Sequence, residues 1–292
     1  MVDVLAATAK VVSLASRIGD GVTEVIGSDE LRERVDRLPT HLGPYGVDAF
    51  GFDPHYLKKI IGIATWVYRH YFRCVTFGIE NIPNGRCFVV ANHSGQLPWD
   101  ATMITAAAFL EHEPPLFLRS MIERFVPTLP FVSVFLARCG QILGTPENCR
   151  RILESEQSIL VFPEGVRGLN KSWRDRYRLQ RFGQGFMRLA IETGTPIVPC
   201  AVVGAEEQAP TVVNAKRLAK AMGLPALPIT LSPGFGTLPL PTRYRIYFGA
   251  PMHFEGNAND EDQVIVRKVD QVKSTLQRML DEGVAEREHV FW

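Results

Sequence analysis

The sequence predicts an α/β protein: a central, mostly parallel or mixed sheet flanked by helices, behind an N-terminal helical segment. Three observations predict it. From about residue 73 onward, short apolar runs alternate with stretches of helical periodicity. The 292 residues are 46% hydrophobic and 22% charged, the balance of a chain with a sizeable buried core. No stretch of 18 residues is apolar and free of charge, and no internal repeat or low-complexity tract occurs, so a spanning helix or a solenoid is not expected.

Residues 1–50 form the N-terminal amphipathic helical segment, and residues 51–292 the main domain. Val4, Leu5, Val11, Val12, Leu14, Ala15 and Ile18 recur at helical spacing, with Thr8 on the same face. Gly19 and Gly21 interrupt that helix. Ser28 is placed to cap a second helix whose first turn carries Asp29 and Glu30, and Pro39 and Gly43-Pro44 end the region. Tyr56 to Phe72 is apolar and aromatic between Lys58, Lys59, Arg69 and Arg73, fitting either an interfacial helix or a core helix. Strands are expected at 73–78, 86–91, 115–119, 139–143, 158–162, 196–203 and 243–249. Helices are expected at 99–111, 128–137, 147–156, 183–193, 211–222 and 261–282. Phe125 to Leu136 is almost wholly apolar and reads as a buried helix with a proline-containing start, or as part of an acyl-chain tunnel. Pro225 to Pro241, rich in proline, glycine and leucine, is too long for a plain connection and reads as a lid or membrane-contacting loop.

Two strand ends carry chemistry. The run Cys87–Ala91 leads into Asn92-His93-Ser94-Gly95-Gln96-Leu97-Pro98-Trp99-Asp100. An imidazole accepts a proton from a hydroxyl near neutral pH, and a carboxylate can hold the ring in one tautomer and stabilise the imidazolium. His93 and Asp100 are such a pair if the Gly- and Pro-containing turn folds them together; a satisfied polar contact is the bland alternative. The run Ile159–Phe162 leads into Pro163-Glu164-Gly165-Val166-Arg167-Gly168. Arg167 offers a planar fork of donors for phosphate or carboxylate, and Gly165 frees the backbone beside it. A strand-end salt bridge between Glu164 and Arg167 is the bland alternative there.

Together these residues resemble the glycerolipid (lysophospholipid, phosphatidic-acid-forming) acyltransferase family. Its first motif is an Asn-His pair followed by Asp, matched by Asn92, His93 and Asp100. Its third motif, Phe-Pro-Glu-Gly-x-Arg, is matched without change from Phe162 to Arg167. Phe117-Leu118-Arg119 with Gly140-Gln141-Ile142 resembles the second block, and Thr195–Val202 the fourth. The resemblance covers about residues 73–250. Two departures bear on the acyl acceptor rather than on the chemistry. Six residues separate His93 from Asp100 where the family usually has four, and Leu143-Gly144-Thr145 stands where the second block normally ends in arginine.

The resemblance implies an O-acyltransferase of that fold. An acyl group would pass from an acyl thioester, carried by coenzyme A or acyl carrier protein, to a hydroxyl of a glycerolipid-type acceptor. His93 would be the general base and Asp100 its charge partner, a catalytic His-Asp dyad. Arg119, Glu164, Gly165 and Arg167 would contact the acceptor, with Glu164 touching a glycerol hydroxyl or holding Arg167 in place. No nucleophilic serine or cysteine is required, and no Gly-x-Ser-x-Gly elbow occurs; no metal or tightly held cofactor is expected. A hydrolase or a non-catalytic lipid-binding protein of the same fold is the alternative.

Net charge is +1, and neither zinc-finger spacing nor an RNA-binding signature occurs, so nucleic acid is not an expected partner. Locally the balance differs: Arg167, Lys171, Arg174, Arg176, Arg178, Arg181 and Arg188 stand against Asp175 alone. This is either a solvated loop or a positive rim for lipid head groups or coenzyme A phosphates, with Trp173 and Tyr177 suited to a membrane interface. Given lipid substrates, the interfacial reading of Tyr56 to Phe72 is preferred. Cys74, Cys87, Cys139, Cys149 and Cys200 are scattered and fit buried thiols. No secretory signal is visible in residues 1–27, so the expected location is cytoplasmic, peripheral on the inner face of the cell membrane.

Overall fold

The computed structural model describes residues 28–94, 98–124, 126–128, 131–169, 171–214, 228–230 and 238–291. The expected helix within residues 1–27 therefore lies outside the described residues, as does most of the lid region. A seven-stranded mixed sheet organises the rest. Its strands are β1 (Val75–Phe77), β2 (Phe88–Ala91), β3 (Arg119–Ile122), β4 (Ile142–Leu143), β5 (Ile159–Val161), β6 (Ile197–Val203) and β9 (Arg245–Phe248). The lateral order is β1-β9-β6-β2-β5-β3-β4, antiparallel only between β6 and β9. A separate antiparallel pair joins β7 (Thr211–Asn214) to β8 (Pro228–Thr230).

Period-two alternation sends the two sides of each strand into two cores. Phe88 and Val90 of β2 point to a core shared with α5 (Pro146–Glu154), α7 (Gly185–Thr193) and α8 (Asp262–Glu286). Val89 and Ala91 point the other way, against α3 (Trp99–Glu111) and the end of α2 (Pro54–Trp66) with its π turn Val67–Tyr71. Along α8, Ile265, Val269, Val272, Leu276, Leu280 and Gly283 form the buried stripe, at spacings of three and four residues. A third, smaller cluster packs α1 (Asp29–Asp36) on α2 and Phe109 of α3. Ser28 caps α1 by accepting from Leu31 N, and Asp53 caps α2 by accepting from Tyr56 N.

Six of the strands expected from residue 73 to 249 are present, trimmed by one to three residues at an end, the strand expected at 115–119 lies instead at Arg119–Ile122, and α3 spans residues 99–111 as its periodicity indicates. The segment Tyr56–Phe72 packs one side into the core, through Leu57, Ile61, Thr65, Tyr68 and Phe72, and leaves Lys59, Ile63 and Arg69 exposed on the other. Two further expectations fail. The helix over 211–222 begins as strand β7, because Thr211-Val212-Val213 is β-branched and pairs with β8. The apolar segment through Leu136 is not a buried helix. Within it, α4 (Val132–Arg138) buries none of its residues. It connects β3 to β4 at the sheet edge, where β4 has two residues and gives a helix little surface to cover.

Candidate active site

Both chemistry-bearing turns follow the carboxyl ends of neighbouring parallel strands, β2 and β5, where open α/β sheets place ligands. Asn92 anchors the first turn. Its side-chain amide donates to Val202 O at 3.0 Å and accepts from Val202 N at 2.8 Å, extending the β2–β6 ladder through a side chain. His93 follows on the rim, 14% exposed at the side chain, its ring stacked on Phe162 at 4.3 Å between centroids.

Asp100 stands in the first turn of α3, fully buried, where helix-end N–H groups favour a carboxylate. Its Oδ2 lies 2.7 Å from His93 Nδ1 and accepts from Ser94 N at 2.9 Å, while Oδ1 accepts from Ala101 N at 2.8 Å. An ionised carboxylate only accepts, so the imidazole proton sits on Nδ1 and the Nε2 lone pair is left for a substrate proton. The six-residue spacing does not part the pair, because Pro98 leads directly into α3 and Asp100 is its second residue.

Glu164 has a different setting from the one the spacing suggests. It is buried and does not pair with Arg167. Its Oε1 accepts from the His93 backbone N–H at 3.2 Å, and its Oε2 accepts from Gln180 N at 2.8 Å. Behind it Lys171 Nζ lies 3.4 Å from Glu164 and 2.7 Å from Glu206, whose other oxygen accepts from Tyr177 N at 2.9 Å. Burial works against the Lys171 charge, but Glu206 and Glu164 outweigh it and raise the ammonium above the ordinary lysine value. Glu207 continues the network, pairing with Arg287 at 2.6 Å and accepting from the Tyr177 hydroxyl.

Gly165 takes a left-handed φ of 54°, which lets the turn close. Gly168, in α6 (Val166–Leu169), packs close to the His93 backbone: a Cβ there would stand 3.1 Å from His93 O and from Glu164 Cβ. Arg167, on the same short helix, is exposed, with one long contact of 3.5 Å to Arg181 O. The structure thus brings His93, Asp100, Glu164, Gly165 and the Arg167 helix to one end of the sheet.

Arg119 is set apart. Register aligns it with Ile159 and, through that residue, with Phe88, at the opposite ends of the strands from the two turns. Five residues from Phe88 to His93 span roughly 16 Å of strand. The Arg119 side chain is only 2% exposed and donates to Asp48 Oδ2 at 2.7 Å beside the Phe52 ring, so its guanidinium is held inside the fold and away from the two turns. The basic rim is also thinner than its sequence. Lys171 and Tyr177 are buried, and Arg188 bonds to Asp262 at 2.7 Å. Arg167, Arg174, Arg176, Arg178 and Arg181 remain exposed, with Trp173 beneath the Arg176 guanidinium. Lys171 escaped the sequence reading because a lysine among arginines looks solvated; Glu206 and Glu207, which follow an apolar strand and read either as lining the site or as a helix-start acidic pair, are the acids that bury it and extend its network.

Residues 74–203 match the family model described as Acyltransferase. An uncharacterized protein of Mycobacterium tuberculosis is 39% identical over 260 residues, which cover 86% of this chain and 73% of that protein. A probable 1-acyl-sn-glycerol-3-phosphate acyltransferase of Mycoplasma pneumoniae is 27% identical over 172 residues, 56% of this chain and 61% of that one. In three dimensions the chain is similar to the 1-acyl-sn-glycerophosphate acyltransferase PlsC of Thermotoga maritima, with a TM-score of 0.50 at 18% identity, over 80% of this chain and 85% of that one. The mixed sheet flanked by helices is thus that acyltransferase fold. The chain belongs to the glycerolipid acyltransferase family and is an acyltransferase of lipid biosynthesis.

Proposed function

We propose that the protein transfers a fatty acyl group from an acyl thioester, acyl-CoA or acyl carrier protein, to a hydroxyl of a glycerolipid-type acceptor, with His93 as general base. The observation that carries this reading is the 2.7 Å contact of His93 Nδ1 with fully buried Asp100. The acceptor O–H gives its proton to Nε2 as its oxygen attacks the thioester carbonyl. The C–S bond then breaks, and the imidazolium returns the proton to the departing thiolate. Asp100 offsets the positive ring between those two steps. General-base assistance of this kind is typically about 10²- to 10⁴-fold, and positioning of both substrates supplies much of the remainder. Glu164 supports the turn from behind by holding the His93 N–H, rather than reaching for the acceptor. Arg167 and the exposed arginines after it form a cationic lip suited to an anionic head group or coenzyme A phosphates. The protein would work peripherally on the inner face of the cell membrane; among the described residues no helix is long and apolar enough to cross a bilayer.

The test is purified protein with acyl-CoA or acyl carrier protein and a panel of acceptors: lysophosphatidate, glycerol phosphate, lysophospholipids, mono- and diacylglycerol and glycolipids. Mass spectrometry should find an acylated acceptor, and His93→Ala should remove it. Thioester loss that ignores the acceptor would favour a hydrolase instead.

A further inference from the structure

Phe131, Val132, Val134 and Phe135 all lie exposed on α4 and the residue before it, with Phe131 89% exposed. Monomeric soluble domains seldom leave such a contiguous apolar patch bare. The patch continues onto α2: the Tyr56 ring meets Phe135 edge-on at 6.2 Å, and Ile63 is 53% exposed. The two chain segments that build this face carry no acid. No Asp or Glu occurs from Pro54 to Ile79 or from Arg124 to Pro146. Both segments carry cations, among them exposed Lys59, Arg69 and Arg124, while Arg138 lies 5.4 Å from the Tyr56 ring centre. Asp36, which α1 extends toward α2, is engaged by Lys58 at 2.6 Å.

We propose that this face docks the protein on an anionic lipid bilayer. Phe131 and Phe135 enter the acyl boundary and Lys59, Arg69 and Arg124 meet the head groups. Phe131 stands just before the helix and Phe135 within it, and both side chains are exposed together with Val132 and Val134, as an interfacial element requires. The cations add attraction to anionic lipid and none to a neutral one. The position is apt for a lipid-acylating enzyme. Glu123, next to Arg124, has its carboxylate 3.3 Å from where a Gly165 Cβ would stand, so the docked face begins beside the catalytic turn. The purpose of docking rests on the acyl-transfer reading; its measurement does not.

The experiment uses full-length protein, flotation with vesicles of phosphatidylcholine alone or mixed with phosphatidylglycerol, and a detergent-free assay with a soluble short-chain thioester and acceptor. Wild type should float with the anionic vesicles. F131S/F135S should partition at least roughly tenfold less. K59E/R124E should lose several-fold on anionic vesicles and nothing on neutral ones. Both variants should match wild type in circular dichroism, melting temperature and soluble-substrate turnover. Unchanged flotation of F131S/F135S would overturn the proposal. So would amides of residues 131–138 protected from deuterium exchange before vesicles are added, or a wild-type dimer that the same variant turns into monomer, since either means another polypeptide surface covers the face. If no protein transfers acyl groups while the phenylalanine variant still fails to float, the acyl-transfer reading falls and the docking face stands.

Discussion

At His93 the chemistry turns on which ring nitrogen holds the proton. In the proposed mechanism buried Asp100, fixed by two backbone N–H groups, keeps Nδ1 as donor and leaves Nε2 to act as base. His93→Ala should therefore cost about 10²- to 10⁴-fold in kcat with an unchanged circular-dichroism spectrum. Full turnover in that variant would end the general-base proposal. Asp100→Asn should cost a similar factor, because an amide can donate to Nδ1 and favour the wrong tautomer. Its kcat should fall much more than KM rises; a pure KM effect would make Asp100 a binding group instead.

At the scale of elements, the short helix α6 lies close against the His93 backbone because Gly168 has no side chain. Gly168→Ala puts a methyl at 3.1 Å from His93 O and Glu164 Cβ, so one side must move by a few tenths of an ångström. A shift of that size at a catalytic base should lower kcat about three- to tenfold while melting moves by only a few degrees. Unaltered kcat would show that the turn accommodates the added methyl without moving His93. The loop before α2 meets the sheet through Arg119 and Asp48. Asp48→Ala strands a buried guanidinium and should cost about 3–5 kcal/mol in urea unfolding. Turnover per folded molecule should stay near wild type, because Arg119 lies at the far end of the strands. Equal loss of turnover would return Arg119 to the site.

For the whole molecule, buried protonated groups set an alkaline limit. The Lys171 ammonium is raised above its ordinary 10.5 by Glu206 and Glu164 against the opposing cost of burial. Its stabilisation is complete below that ordinary value and is lost as pH rises through the higher folded one. Burial likewise raises the Tyr177 and Tyr244 phenols well above 10.0, so the unfolded chain sheds those protons first. All three groups act in one direction. The urea midpoint should hold up to about pH 9 and fall steeply by about pH 11. A midpoint level across that range would contradict the network as described.

Alternation of apolar runs and helical stripes was enough to place six of the seven sheet strands and to start β3 four residues early, and the residues at two strand ends were enough to point to His93, Asp100 and the Glu-Gly-x-Arg turn, which the fold brings to one end of the sheet. Those features are local: side-chain periodicity and turn chemistry act over a few residues, so they are written in the order of the chain. What surrounds a side chain is not local. Lys171 reads as a solvent-facing cation and Arg119 as an acceptor-binding one, yet both lie buried against acids 35 and 71 residues away. The α4 helix reads as core from its composition, yet lies bare because β4 leaves the sheet edge too short to cover it. Tertiary packing alone chose between those fates, since burying a charge depends on a partner brought by another segment, and burying an apolar helix depends on a surface wide enough to receive it.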